Sequence, residues 1–323
     1  MQSRFCEGIL QPENIGKRFK SPALTGIFME KSWDRQLFIA EVHGFCNGVR
    51  RALKTVERLL SEERSGKVYV FNEIVHNNFV VNELKKRNVQ FVRTLDGVPP
   101  DATLVWSAHG VPPELKKQAS ARHIHSVDAT CPLVQKVQDL AAEHTAAGNA
   151  VIFIGHRSHP ETVGVMGCGK VYCVSNADDI AGLPDFANQN ITVLTQTTLC
   201  AVEVANLLEM LKKRYADLQI FSGICYATGE RQQAVRDLID RKHIDTLLVI
   251  GSPRSSNSNR LCEVARSMGV TAYLVDDPSD IKNMDFPDNC RLGITAGASA
   301  PEILLHQACS ILIEKHKFLL IKE

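Results

Sequence analysis

The 323-residue sequence lacks any long basic run: 37 Lys and Arg are balanced by 36 Asp and Glu, and the densest groups are Arg50-Arg51, Lys85-Lys86-Arg87 and Lys212-Lys213-Arg214. Those groups read as solvated helix faces, and without a basic excess or a longer basic run no nucleic-acid partner is expected. Also missing is an apolar stretch near the roughly 18 to 20 residues that a spanning helix needs. Runs such as 246–250 stop at glycine or a charge, so no membrane association is expected and the location should be cytoplasmic. The first residues show no charged, apolar and cleavage-site pattern of a secretory signal, so no disulfide framework is expected of the ten cysteines. The nucleotide and hydrolase signatures G-x-G-x-x-G, G-x-x-x-x-G-K-[ST] and G-x-S-x-G are absent too; GVMGCG at 164–169 does not fit the first of them. What remains is an ordinary folded composition, 44% hydrophobic and 23% charged.

One pattern occurs three times. An apolar strand runs into a cysteine and then a helical pattern in LFIAEVHGFCNGVRRALK, HSVDATCPLVQKVQDL and IFSGICYATGERQQAV, with Cys46, Cys131 and Cys225 at equivalent positions. Each cysteine is followed by two more strand-to-helix junctions. The first set is EIVHNNFV, IFIGHRSHPE and LVIGSPRSSNSN; the second is LVWSAHGVPP, TVLTQTTLC and GITAGASAPE. A further β-branched stretch, VQFVR, KVYCVS or TAYLVDD, lies between them. The expected fold is therefore α/β, built from three pseudo-equivalent units, each with a mostly parallel four-stranded sheet. The expected division is a loose extension at 1–36, then units at 37–130, 131–224 and 225–323. Ligands of open parallel sheets bind beyond the carboxyl ends of the strands, where these junctions place their polar residues.

A free cysteine is commonly a small buried hydrophobe, and Cys173, Cys200, Cys262 and Cys309 fit that role. Packing gives no reason for Cys46, Cys131 and Cys225 to recur at equivalent strand ends. Three soft thiolates suit an iron-sulfur cluster with one metal left open. Zinc would want four ligands, and Cys168 with Cys173 lacks a second nearby pair. His76, His109 and His159, with Ser255, Ser256, Asn257 and Ser299, offer donors for a diphosphate, the imidazoles becoming cationic beside the anion. Read singly, Ser-Ser-Asn is first of all a helix cap. Glu161, two residues after His159, could hold a proton and deliver it through Thr197; its plainer reading is a first-turn glutamate favoured by the helix dipole.

The signatures GFCNGV, VHN, SAHG, DATCPLV, GHRSHPE, TQTTL, CYAT, SSNSNRL and TAGASAP together resemble the 4-hydroxy-3-methylbut-2-enyl diphosphate reductase family, iron-sulfur enzymes that end the non-mevalonate isoprenoid pathway. The likeness runs from about Leu37 to Lys315. It implies a trefoil of three α/β units around one Fe₄S₄ cluster held by Cys46, Cys131 and Cys225. It further implies diphosphate binding by His76, His109, Ser255, Ser256, Asn257 and Ser299, with His159 lining the pocket and Glu161 and Thr197 managing protons. The small-molecule substrate would be an allylic diphosphate, reduced to isopentenyl and dimethylallyl diphosphate, with ferredoxin or flavodoxin as electron donor. Departures from the family pattern are Val42-His43 before the first cysteine, Gly229-Glu230 after the third and Pro253-Arg254 before SSNS. They leave two alternatives open: a divergent paralogue reducing another allylic alcohol, or a non-catalytic iron-sulfur redox sensor.

Overall fold

A computed structural model describes residues 35–62, 67–186 and 189–321; most of the extension expected at 1–36 lies outside the described residues. The elements follow in strict alternation over much of the chain. They are β1 (Gln36–Ile39), α1 (Asn47–Ser61), β2 (Val68–Phe71), α2 (Asn78–Lys86), β3 (Gln90–Val92), β4 (Thr103–Trp106), α3 (Pro113–Ala121) and β5 (His125–Asp128). The chain continues with α4 (Pro132–Ala146), β6 (Ala150–Ile154), α5 (Pro160–Met166), β7 (Val171–Val174), α6 (Ala177–Ala181), β8 (Ile191–Thr195), α7 (Ala201–Arg214) and β9 (Leu218–Phe221). Last come α8 (Tyr226–Lys242), β10 (Thr246–Ile250), α9 (Ser256–Ser267), β11 (Thr271–Val275), β12 (Arg291–Ala296), α10 (Glu302–Glu314) and β13 (Leu319–Leu320).

The strands form three parallel sheets, ordered β3-β2-β4-β5, β7-β6-β8-β9 and β11-β10-β12-β1-β13. Two have the expected four strands and the third has five. The central strands TLVW, AVIFI, ITVLT and TLLVI are buried along their whole length, as strands covered by helices on both faces must be. In the second sheet Ile152, Ile154 and Val193 pack with Leu207 and Leu211 on one face. Val151, Phe153 and Leu194 pack with Val137, Ala141 and Val165 on the other.

One boundary differs from the reading of the sequence. The strand at 36–39, expected with the unit 37–130, pairs with β12 in register Gln36↔Arg291 to Ile39↔Ile294 and with β13. The rule behind this is uniform: the strand that leads into each cysteine belongs to the preceding sheet, β5 before Cys131 and β9 before Cys225 at its edge, and β1 before Cys46 between β12 and β13. For β1 the preceding sheet is the last one in the chain, which linear order along the sequence hides.

By compactness the described chain divides into two units, one of residues 35–45 with 231–321 and one of residues 46–230. The first holds the five-stranded sheet, the second the two four-stranded sheets. Among the described residues no helix is long and apolar enough to cross a membrane.

Candidate active site

Within residues 46–230 each central pair of strands delivers its polar residues side by side, because parallel neighbours end at the same edge. Strands β2 and β4 are paired, and the loops that leave them are tied by Ala108 N–H donating to the Ile74 carbonyl at 3.2 Å. This places the half-buried His76 and His109 rings in a stack, 4.1 Å between centroids and 22° between planes. His159, from the loop after β6, meets both rings edge-on at 5.5 and 5.7 Å. The three histidines, which come from three separate junctions of the sequence, are thus one group in space.

Burial, with the neighbouring His76 and His159, holds His109 well below the usual imidazole range. Burial, with His76 and His156, lowers His159 to about 3. Without an anion these rings are neutral, so the cationic form expected beside a diphosphate has to be induced by the anion itself. His159 Nδ1 accepts the N–H of Glu161 at 3.2 Å, which assigns its proton to Nε2 and leaves that edge as a donor. His76 Nδ1 lies 3.2 Å from Glu73 Oε2, a carboxylate the sequence reading did not single out.

Glu161 sits in the first turn of α5, as the plain dipole reading has it, but its side chain is only 2% exposed. Thr197, at the end of β8, grips it twice: the backbone N–H donates to Oε1 at 2.8 Å and Oγ1 donates to Oε2 at 2.9 Å. Burial outweighs these two bonds and lifts the carboxyl to about 7. Gln196, wholly buried, ties the two loops by accepting His156 N–H at 2.9 Å. Replacing Thr197 by Val removes the hydroxyl but keeps the backbone bond. The expected result is a Glu161 titration moved above about 7, because a bond that favoured the carboxylate is gone; the alkaline limb of kcat/KM against pH checks it.

Each of the three cysteines stands at a helix N-terminus, where backbone N–H groups without an intrahelical acceptor face the side chain. Cys46 precedes α1 and its Sγ accepts Val49 N–H at 3.5 Å. Cys131 precedes α4, anchored by its own N–H to the Ala108 carbonyl at 3.0 Å, beside His109. Cys225 precedes α8, its N–H on the Thr197 carbonyl at 2.9 Å. Burial pushes the Cys131 thiol up, the N–H groups of Leu133 and Val134 pull it down, and the sulfurs of Cys46 and Cys225 raise it further, so the three sulfurs lie within electrostatic reach. Gly48 shows the crowding directly, since a Cβ there would lie 2.8 Å from Cys131 Sγ and 3.8 Å from Cys46 Sγ.

Among the described residues no group of three or more His, Cys, Asp or Glu side chains is placed to hold a metal ion. A cluster of several irons holds its thiolate ligands farther apart than a single ion does. Three separate helix-end thiols, two of them closing on Gly48, fit that larger group. Gly48→Ala is expected to lower iron and sulfide per chain after reconstitution, measured against the parent protein, because the methyl displaces Cys131. The cysteines assigned to packing behave differently: Cys173, Cys262 and Cys309 are buried, while Cys200 is half-buried at the N-cap of α7 rather than inside the helix.

In the unit of 35–45 and 231–321, Ser255 accepts Ser258 N–H at 3.3 Å as the cap of α9, so the plain reading holds there too. It also accepts Ser258 Oγ at 3.1 Å and Ser299 Oγ at 3.2 Å. Asn257 Oδ1 accepts Ala298 N–H at 2.8 Å, while its Nδ2 is buried with no partner among the described residues. A buried amide donor left open costs energy unless a ligand meets it. Ser256, half-buried, opens α9 beside them. Asn77 Nδ2, next to His76, is likewise buried without a partner, and was not singled out from the sequence. The departures from the family pattern stand outside these bonds: Gly229, Glu230, Pro253 and Arg254 are exposed, and His43 Nδ1 is 2.6 Å from the Ala40 carbonyl.

Fold and site together define a class: parallel α/β proteins that gather thiol, imidazole and buried carboxyl groups at their strand ends. Within that class the chain belongs to the LytB protein family, whose model matches residues 37–313. It is 46% identical over 287 residues to the 4-hydroxy-3-methylbut-2-enyl diphosphate reductase of Histophilus somni, covering 86% of this chain and 90% of the relative. To the enzyme of the same name from Xanthomonas oryzae pv. oryzae it is 44% identical over 278 residues, covering 83% and 87%. Among solved structures, the E-1-hydroxy-2-methyl-but-2-enyl-4-diphosphate reductase from Plasmodium falciparum matches with a TM-score of 0.83 at 30% identity, over 89% of this chain and 91% of that one. A second, (E)-4-hydroxy-3-methyl-but-2-enyl diphosphate reductase, described as the terminal enzyme of the non-mevalonate pathway, matches with a TM-score of 0.64 at 29% identity, over 87% and 99%.

Proposed function

We infer that this chain reduces 4-hydroxy-3-methylbut-2-enyl diphosphate to isopentenyl and dimethylallyl diphosphate, consuming two electrons and two protons and releasing the hydroxyl as water. The observation that carries the reading is a buried carboxyl poised near neutrality and gripped by Thr197, in the unit that also holds the imidazole group and the three helix-end cysteines. The LytB family binds an iron-sulfur cluster; here Cys46, Cys131 and Cys225 are proposed to hold it as one Fe₄S₄ group. Such a cluster, with one iron lacking a protein ligand, supplies single electrons and an open position for an oxygen ligand.

The rest of the chemistry is assigned to the chain. His76, His109 and His159 present N–H edges to diphosphate oxygens, and the anion raises the affinity of His109 and His159 for protons. Ser255, Ser256, Asn257 and Ser299 are proposed as phosphate donors, Asn257 through its unpaired Nδ2. Thr197 N–H holds Glu161 Oε1 as an acceptor, which favours the acid proton at Oε2, 2.9 Å from Thr197 Oγ1. In the acid form the Oε2–Oγ1 bond reverses, Oε2–H donating to Thr197 Oγ1, and a relay then moves that proton to Oγ1 as the hydroxyl passes its own proton to the substrate. Ferredoxin or flavodoxin in the cytoplasm completes the reading as the electron source. Expression in a bacterium deprived of its own reductase tests it: restored growth without added isoprenoid precursors is expected, and failure by a well-expressed, cluster-loaded chain counts against it.

A further inference from the structure

We propose that the exposed face of α1, together with Tyr226, is the docking surface for a small acidic protein that carries one electron at a time. This rests on the reductase reading and adds where the electrons enter.

Helix α1 buries Val49, Ala52, Leu53, Val56 and Leu59 and turns Asn47, Arg51, Lys54 and Arg58 to solvent, with Arg50 partly exposed beside them. These residues and Thr55 line one shallow depression. Of the nearby carboxylates, Glu57 is engaged by Arg87 at 2.5 Å, and Glu62 lies 3.8 Å from Arg58. A solvated helix face would explain basic residues anywhere on the molecule. This face is set apart by its place beside the three cysteines.

Each cysteine-bearing loop reaches the same surface. Asn47 follows Cys46 directly, and its Nδ2 donates to the hydroxyl of Tyr226 at 3.3 Å. Tyr226 follows Cys225 and is 59% exposed, one of the few large apolar side chains left in solvent. Arg51 Nη1 donates to the carbonyl of Thr130, the residue before Cys131, at 2.9 Å. An aromatic ring therefore lies one residue from Cys225, and the cationic stripe begins about one helical turn beyond Cys46 at Arg50 and Arg51 and runs along the helix to Arg58. Electron transfer weakens steeply with distance, so a carrier must seat close to them. A stripe of one sign steers an oppositely charged partner and releases it readily, as a transient redox encounter requires.

The test uses the full chain and a plant-type [2Fe–2S] ferredoxin as probe. Binding is measured by calorimetry at low and high salt, with and without reconstituted cluster, for the parent and for Lys54→Glu/Arg58→Glu. Turnover is measured with reduced ferredoxin and with reduced methyl viologen. The proposal expects affinity for ferredoxin to fall at least about tenfold in the variant, with a parallel loss of ferredoxin-driven turnover and unchanged viologen-driven turnover and iron content. Unchanged ferredoxin binding and turnover would overturn it, as would tighter binding of a DNA fragment than of ferredoxin to the stripe. Should the charge reversal lower the iron content, Lys54→Gln/Arg58→Gln must show the ferredoxin-specific loss, and its absence also overturns the proposal. If the parent fails to turn over with viologen the reductase reading fails, while the binding arm still decides the docking surface.

Discussion

Glu161→Gln is expected to lower turnover by roughly 10²- to 10⁴-fold, the range in which a positioned general acid contributes, while iron and sulfide content stay at the parent level. Gln keeps the shape and can still accept the Thr197 N–H at the position of Oε1, but it has no acidic proton to give. The pH profile supplies the matching signature. In the parent, burial lifts this carboxyl to about 7, so the acid form is lost as pH rises through that value and kcat/KM falls with it; in the variant that limb disappears. Full activity of Glu161→Gln would remove the proton-donor role.

The same group makes a stability prediction for the cluster-free chain. Between about 4.5 and about 7 the unfolded chain has lost the Glu161 proton and the folded chain still holds it. Stability of the parent therefore declines across that window and levels off above it. Glu161→Gln carries no such penalty. It should be more stable than the parent by roughly 3 kcal/mol above neutral pH, with the difference vanishing in acid. Urea titrations at pH 4.5 and pH 8 read the difference, and a pH-independent offset would mean that Glu161 is not buried as a near-neutral acid.

Cys131→Ser is expected to abolish activity and strip most of the iron and sulfide from the chain. The serine hydroxyl is a hard, weakly acidic donor where a soft thiolate is required. The position is also constrained, because the Cys131 N–H is held by the Ala108 carbonyl and Gly48 closes against its sulfur. Cys173→Ser is the control: Cys173 is buried in β7, so its loss should cost some stability and no iron. If Cys131→Ser keeps a full complement of iron, the assignment of the three helix-end cysteines is wrong.

Much of this was legible in the sequence because threefold repetition separates chemistry from packing. A single cysteine or histidine at a strand end carries little information. Cys46, Cys131 and Cys225 at equivalent places, with His76, His109 and His159 nearby, carry a great deal. What stayed hidden depends on contacts between distant segments. The pairing of Gln36–Ile39 with Arg291–Ala296 spans nearly the whole described chain, and β1 reads equally well as the opening strand of the first repeat. The neutral state of His109 and His159 arises from burial beside each other, which no local pattern encodes. Gly48 lay in plain view within GFCNGV, but its reason is a sulfur 83 residues further along the chain. Asn77 was masked by its own capping role, since Oδ1 serves α2 while Nδ2 is left over.

The central claim is tested most directly by anaerobic turnover of 4-hydroxy-3-methylbut-2-enyl diphosphate by cluster-reconstituted protein with a strong one-electron reductant, products being read by mass. The account predicts isopentenyl and dimethylallyl diphosphate in amounts that consume two electrons per product. No product from protein with a verified intact cluster would contradict it.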